Sequence, residues 1–132
     1  MAILIDTSVL VDIERGRTSL AALAARDADE DVAIAAITAS ELLHGVHRLA
    51  GARAARAEAF LEELFLLVPV VPFDLPEART HARLSADLQA RGAAVGAHDL
   101  IIAATAIAND YRVLTRDRRS FPRIAGLEVV AP

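Results

Sequence analysis

The stretch from Gly96 to Asp117, GAHDLIIAATAIANDYRVLTRD, constrains the fold more than any other part of the chain. An apolar helical run continues to Ala108, the residues Ala108-Asn109-Asp110 favour a turn, and Tyr111 to Thr115 reads as a strand. A helix that returns the chain into a strand over so short a turn brings two acids to one edge of a sheet. Asp99 stands at the helix head, and Asp117 lies just beyond the strand. Such a unit belongs in an α/β layer structure.

The remaining segments repeat the alternation. Ala2 to Ile5 reads as a buried strand ending at Asp6, followed by Thr7, Ser8 and a short helix carrying Val9, Leu10, Val11 and Ile13. Thr18 is placed to cap a helix from Ser19 to Arg26 with Leu20, Leu23 and Ala24 inward, and Asp27 to Asp31 reads as a solvated loop. Val32 to Ile37 is a second strand, and Thr38 to Glu41 carries the T-x-x-E capping-box signature at the head of a helix with Leu42, Leu43, Val46 and Leu49. A helical hairpin continues through Ala52 to Leu67. Val68 to Phe73 is a third strand whose two prolines suit an edge position. Pro76 fits the first turn of a helix through Gln89, ended by Arg91-Gly92. A short helix or turn near Arg118 to Phe121 precedes a last strand, Leu127 to Val130. The expected fold is α/β, with about five short strands in a mainly parallel sheet flanked by helices.

With 132 residues, 55% of them hydrophobic, the chain can bury one substantial core, and a single domain over residues 1–132 is the expectation. The absence of cysteine excludes disulfides, zinc–thiolate sites and thiol nucleophiles. No apolar run approaches the roughly 20 residues of a membrane span, and MAILIDTSVLVD lacks the basic region and cleavage site of a secretory signal, so a soluble cytoplasmic protein with no membrane association is expected. A net charge of −4 argues against a generally cationic nucleic-acid surface, but not against an acidic site whose bound cation faces a phosphate. All fourteen basic residues are arginine, which in so alanine-rich a chain reflects coding bias.

Asp6, Glu41, Asp99 and Asp117 occupy equivalent places, each after a strand or at a helix head. Each has a structural reading. Asp6 suits a turn, the capping box accounts for Glu41, the helix dipole favours Asp99 by about 0.3–1 kcal/mol, and Asp117 can cap the short segment after it. Their conjunction is harder to explain structurally, because in a parallel α/β sheet strand carboxyl ends and helix amino ends share one edge, where ligands bind. Carboxylates gathered there repel, and a divalent cation resolves the repulsion. An oxygen-only set suits hard Mg²⁺ or Mn²⁺ better than zinc. Thr7, Ser8 and Thr115 are placed to hydrogen-bond these carboxylates or metal-bound water, the structural reading being a local backbone partner.

The segments IDTSVL, ITASELLHG, AHDLIIAATA and VLTRDRRSF, in this order and at these distances, resemble the PIN-domain ribonucleases, and within them the VapC toxins of bacterial and archaeal toxin–antitoxin pairs. The resemblance covers nearly the whole chain and implies a three-layer sandwich. It implies a Mg²⁺-dependent endoribonuclease, Mn²⁺ being an alternative ion, with Asp6, Glu41 and Asp99 as the first three acids and Asp117 at the fourth position. Asp6, Asp99 and Asp117 would hold the metal, and the family threonine or serine falls on Thr115. It also implies a homodimer and an antitoxin whose C-terminal segment lies across an apolar groove and reaches the acidic site. Attack by metal-activated water would leave a 5′-phosphate and a 3′-hydroxyl. Asp6→Asn and Asp99→Asn are both expected to abolish cleavage and leave the fold nearly intact. The alternatives are a non-catalytic RNA- or partner-binding module of the same fold, and a receiver-like phosphoacceptor domain, which would need a lysine this chain lacks.

Arg116, Arg118 and Arg119 cluster beside Asp117, where they could hold RNA phosphates or form a solvated turn. Glu41, His44 and His47 recur at three-residue spacing but lack the i, i+4 histidine pair of zinc helices. His81 and His98 have no partner identifiable from sequence. Phe60, Leu61, Leu64, Phe65, Leu66 and Leu67 exceed what one core-facing stripe requires, so part of that helix is expected at an interface.

Overall fold

The computed structural model describes residues 2–26 and 30–132. Residues 27–29 of the expected acidic loop, and the side chain of Ala24, lie outside the described residues. Five strands, β1 (Ala2–Ile5), β2 (Val32–Ala35), β3 (Val70–Val71), β4 (Tyr111–Leu114) and β5 (Val129–Val130), form one sheet in the order β3-β2-β1-β4-β5, and every pairing is parallel. The chain begins at the central strand, moves outward through β2 to β3, then crosses back to lay β4 on the other flank of β1. The strand order therefore reverses between β1 and β4, the place where an open α/β sheet forms a crevice at its carboxyl edge.

Alternation along the strands buries both faces. Leu4, Ala33, Ala35 and Val113 pack under α5 (Leu75–Ala90) and α6 (Ala97–Ala108). Ile3, Ile5, Ile34 and Leu114 meet Val9 and Leu10 of α1 (Thr7–Glu14), Leu23 of α2 (Leu20–Arg26), Leu42 of α3 (Ala36–His47), and Leu61 and Leu64 of α4 (Gly51–Leu67). This is the expected three-layer arrangement. Ala103, Ala104 and Ala106 are fully buried, and their small side chains let α6 lie close to the sheet. Asn109 caps α6 and Asp110 adopts a left-handed φ of 59°, a conformation Asp tolerates, so the chain enters β4 almost at once.

Several boundaries differ from the sequence expectation. Ser19, not Thr18, caps α2, its Oγ accepting the Ala22 N–H at 3.0 Å. β2 ends at Ala35 and α3 begins at Ala36, so Thr38 and Glu41 lie inside the helix and form no capping box. A capping pair instead stands at the head of α5, where Glu77 Oε1 accepts the Asp74 N–H at 2.8 Å. Pro69 and Pro72 bracket β3 and confine it to two residues at the sheet edge. Glu30, expected in a solvated loop, receives Arg112 Nη2 at 2.7 Å.

Candidate active site

Asp6 follows β1 directly, and its N–H donates to the Leu114 carbonyl at 2.9 Å, which extends the β1–β4 ladder by one residue. It holds the N-cap position of α1 but makes no side-chain cap bond. Its carboxylate, only 5% exposed with its residue, turns to hydroxyls. Ser8 Oγ and Thr115 Oγ1 each donate to Asp6 Oδ2 at 2.8 Å. Thr115 in turn accepts the Asp117 N–H at 2.9 Å. One buried hydroxyl thus couples the acid after β1 to the acid after β4.

Asp117 Oδ1 accepts the N–H groups of Arg119 at 2.8 Å and Ser120 at 3.1 Å. The turn-capping reading of this residue is realised for that oxygen. These backbone donors hold the Asp117 carboxyl below its ordinary range.

Glu41 lies in the second turn of α3, so its position is not explained by capping. Thr7 Oγ1 donates to Glu41 Oε1 at 3.0 Å, and His98 Nδ1 lies 3.3 Å from Glu41 Oε2. His98 therefore has a partner at the acid edge. His81 has one elsewhere, its ring standing edge-on to Phe73 at 5.8 Å between centroids. Asp99 sits in the first turn of α6. Burial pushes its carboxyl above the ordinary value, and the charges of Asp6, Asp117 and Glu41 push it further, while the Ser120 hydroxyl pulls the other way.

Asp6, Glu41 and Asp117 therefore each lie within electrostatic range of Asp99 at the carboxyl edge of the sheet. Among the described residues no three or more Asp, Glu or His side chains are grouped closely enough to hold a metal ion as they stand. The donor chemistry nonetheless fits a hard divalent cation. The donors are oxygens, their charges repel at Asp99, and Asp6 Oδ1 accepts no hydrogen bond from the described residues.

The sequence reading missed Asp12. This acid of α1 is buried, Arg17 Nη1 approaches its Oδ1 at 3.3 Å, and Arg116 Nη1 donates to its Oδ2. Both arginines hold the Asp12 carboxyl below its ordinary range, Arg116 most strongly. No local pattern signals a pairing across 104 residues. Arg116 is thus paired, and its backbone N–H also donates to Ser8 Oγ at 3.2 Å. A groove of about 430 Å³ runs from Thr7 and Glu41 over Leu42, Val46 and Leu61.

A PIN-domain family model matches residues 3–127. The chain belongs to the PIN-domain family. It is 37% identical to Ribonuclease VapC1 of Rickettsia felis over 131 residues, covering 98% of this chain and 96% of that protein. It is 34% identical to Toxin FitB of Neisseria gonorrhoeae over 126 residues, covering 90% of each. These relationships place it among the VapC ribonuclease toxins. Among solved structures, VapBC2 from Rickettsia felis bound to a promoter DNA fragment superposes with a TM-score of 0.90 over 100% of this chain and 99% of that one; at 22% identity this shows the fold. FitAB bound to the IR36 DNA fragment has a TM-score of 0.77 at 34% identity, covering 98% and 94%. The PIN fold and VapC relationship expected from the four sequence segments are both met.

Proposed function

We propose that this PIN-domain chain is the toxin of a toxin–antitoxin pair and hydrolyses RNA phosphodiester bonds at Asp6, Glu41, Asp99 and Asp117. The observation that carries this reading is the convergence of three acidic charges on Asp99 beside an Asp6 already fixed by Thr115. Asp6, Asp99 and Asp117 would hold Mg²⁺, or Mn²⁺ in its place. When bound, such an ion supplies Lewis acidity toward the scissile phosphate and lowers the pKa of water at the site. Thr115 and Ser8 keep Asp6 Oδ2 oriented, and Thr7 and His98 hold the Glu41 carboxylate at the crevice.

Water, not the ribose 2′-hydroxyl, is the attacking group. Its oxygen bonds to phosphorus as the bond to O3′ breaks, leaving a 5′-phosphate and a 3′-hydroxyl. Sequencing of RNA ends after brief expression, with Asp99→Asn in parallel, tests this; a 2′,3′-cyclic phosphate end would exclude the mechanism.

The antitoxin is proposed to occupy the groove beside Glu41, because its apolar floor opens onto the acid edge. That leaves Leu66, 87% exposed, with Leu67, Val70, Phe73 and Leu75, as the face for a second copy in a homodimer. A Leu67→Glu chain that remains dimeric by light scattering would remove that face from consideration.

A further inference from the structure

We propose that the cavity enclosed by α1, α2 and the turn carrying Asp117 is a phosphate subsite for the RNA strand beside the scissile bond, with Arg17, Arg116 and Arg118 as its cations and Asp12 holding two of them in place. The proposal rests on the ribonuclease reading under Proposed function.

The cavity measures about 530 Å³, and Val9, Asp12, Arg17, Thr18, Arg116 and Arg118 are among the residues that line it. That is within the range of pockets that hold a small organic group, and ample for a phosphodiester with its ribose. Its lining side chains carry one carboxylate against three guanidiniums, an excess of positive side-chain charge in a chain whose net charge is −4, and Pro132 completes the wall. The Asp12 pairs occupy only one terminal nitrogen each of Arg17 and Arg116. Those side chains are 61% and 55% exposed, and their other N–H groups meet no partner among the described residues. A guanidinium anchored at one nitrogen and open at the rest is preorganised for a second anion.

Placement relates the cavity to the cut. Arg116 stands between Thr115 and Asp117 in the chain, and its backbone N–H is bonded to the same Ser8 hydroxyl that holds Asp6. A strand whose reacting phosphate lies on the acids would run on past Arg116, which belongs both to this wall and to the segment that joins Thr115 to Asp117. Phosphate contacts of this kind fix register without reading sequence.

A simple ion-pair latch between α1 and the turn is the competing account, and Arg118 separates the two because it makes no pair with Asp12. The test is fluorescence anisotropy of a labelled single-stranded oligoribonucleotide with the full chain in EDTA, across a salt series. The expected result for Arg17→Ala/Arg118→Ala is a loss of affinity of roughly tenfold, with the salt slope reduced by about one for each phosphate no longer held. Arg79→Ala/Arg83→Ala, an equal loss of charge on exposed positions of α5, is expected to stay within about twofold of the parent. Equal losses from both pairs, or none from either, overturn the subsite. A parallel titration with inorganic phosphate decides the source: tight phosphate binding by the parent, with RNA affinity unchanged in the Arg17/Arg118 variant, overturns the assignment to RNA. A parent that cleaves RNA with Mg²⁺ while the variant matches its KM defeats the subsite alone. A parent that never cleaves yet shows the arginine-dependent affinity defeats the nuclease reading alone.

Discussion

At the β1–β4 junction the acids are held by the protein itself, Asp6 by two hydroxyls and Asp117 by two backbone N–H groups. At the α3–α6 junction the holding is thinner: Glu41 has one hydroxyl and an exposed histidine, and Asp99, held by the Ser120 hydroxyl, is raised first by burial and then by the charges of the other three acids. The first half is preorganised at a cost already met by folding. The second half keeps a partly buried carboxylate among like charges, which a cation would offset. A site divided in this way can bind metal in a fixed frame and still let one carboxylate answer to the ion's charge.

The largest effects should come from removing one acid of each half. Asp6→Asn and Asp99→Asn are each expected to lower cleavage by more than the roughly 10–100-fold that losing an outer partner of a metal ligand costs. Their stabilities should diverge, although sequence alone suggests that both leave the fold nearly intact. Asp6→Asn weakens two charge-assisted bonds and is expected to lose about 1 kcal/mol after partial relief of repulsion. Asp99→Asn removes repulsion without removing a comparable bond and should raise the Tm of the metal-free chain. Thermal unfolding in EDTA measures both, and equal shifts would erase the distinction between the two halves.

Next in size is Thr115→Val. It removes the donor to Asp6 and the acceptor for the Asp117 N–H at a position with 2% exposure. A stability loss of about 1–3 kcal/mol is expected by denaturant unfolding, and a fall in cleavage of about 10–100-fold. Thr115→Ser keeps the hydroxyl and should recover most of the activity. Should Ser behave like Val, the role of this residue is packing and not coupling.

The charge on Asp99 also has a pH signature. Its folded pKa is raised, so between the unfolded value of about 3.9 and the folded one the native chain binds more protons than the unfolded chain, and stability falls as pH rises. The penalty is complete above the folded value and absent below the unfolded one. The Tm advantage of Asp99→Asn in EDTA should therefore be full at neutral pH and shrink as pH falls toward the unfolded value. Added Mg²⁺ should raise the parent's stability by about 2.7 kcal/mol at a hundredfold excess over its Kd, and that of Asp99→Asn by much less. A parent indifferent to Mg²⁺ would remove the cation from this half of the site.

The layer order and the acid edge were legible because they rest on local signals. Short apolar runs marked β1, β2 and β4, and a turn residue stood where the chain leaves α6. What was illegible depends on distant partners. The Asp12–Arg116 pair spans 104 residues and no local pattern announced it, whereas the Thr115–Asp6 bond, spanning 109, was expected because both residues stand at strand ends on the acid edge. His98 looked unattached because Glu41 arrives from another helix. Two local cap signals misled: T-x-x-E at Thr38, overridden because Ala36 and Ile37 wind into α3 first, and Thr18, whose place as cap of α2 is taken by Ser19.

Thr38 gives the smallest effect and the sharpest contrast with the held half. It is fully buried in α3, and its Oγ1 has no hydrogen-bond partner, whereas Thr115, equally buried, makes two such bonds. A cap residue replaced by an apolar one loses about 1 kcal/mol. A buried unpaired hydroxyl replaced by an isosteric methyl should instead be neutral or stabilising, here by up to about 1 kcal/mol, because the desolvation penalty disappears while the volume is kept. Thr38→Val should therefore unfold at the same or a higher denaturant midpoint, with an unchanged slope and unchanged cleavage. A midpoint lower by the cost of a cap would restore the capping role and weaken the inference that Glu41 stands where it does for the site rather than for the helix.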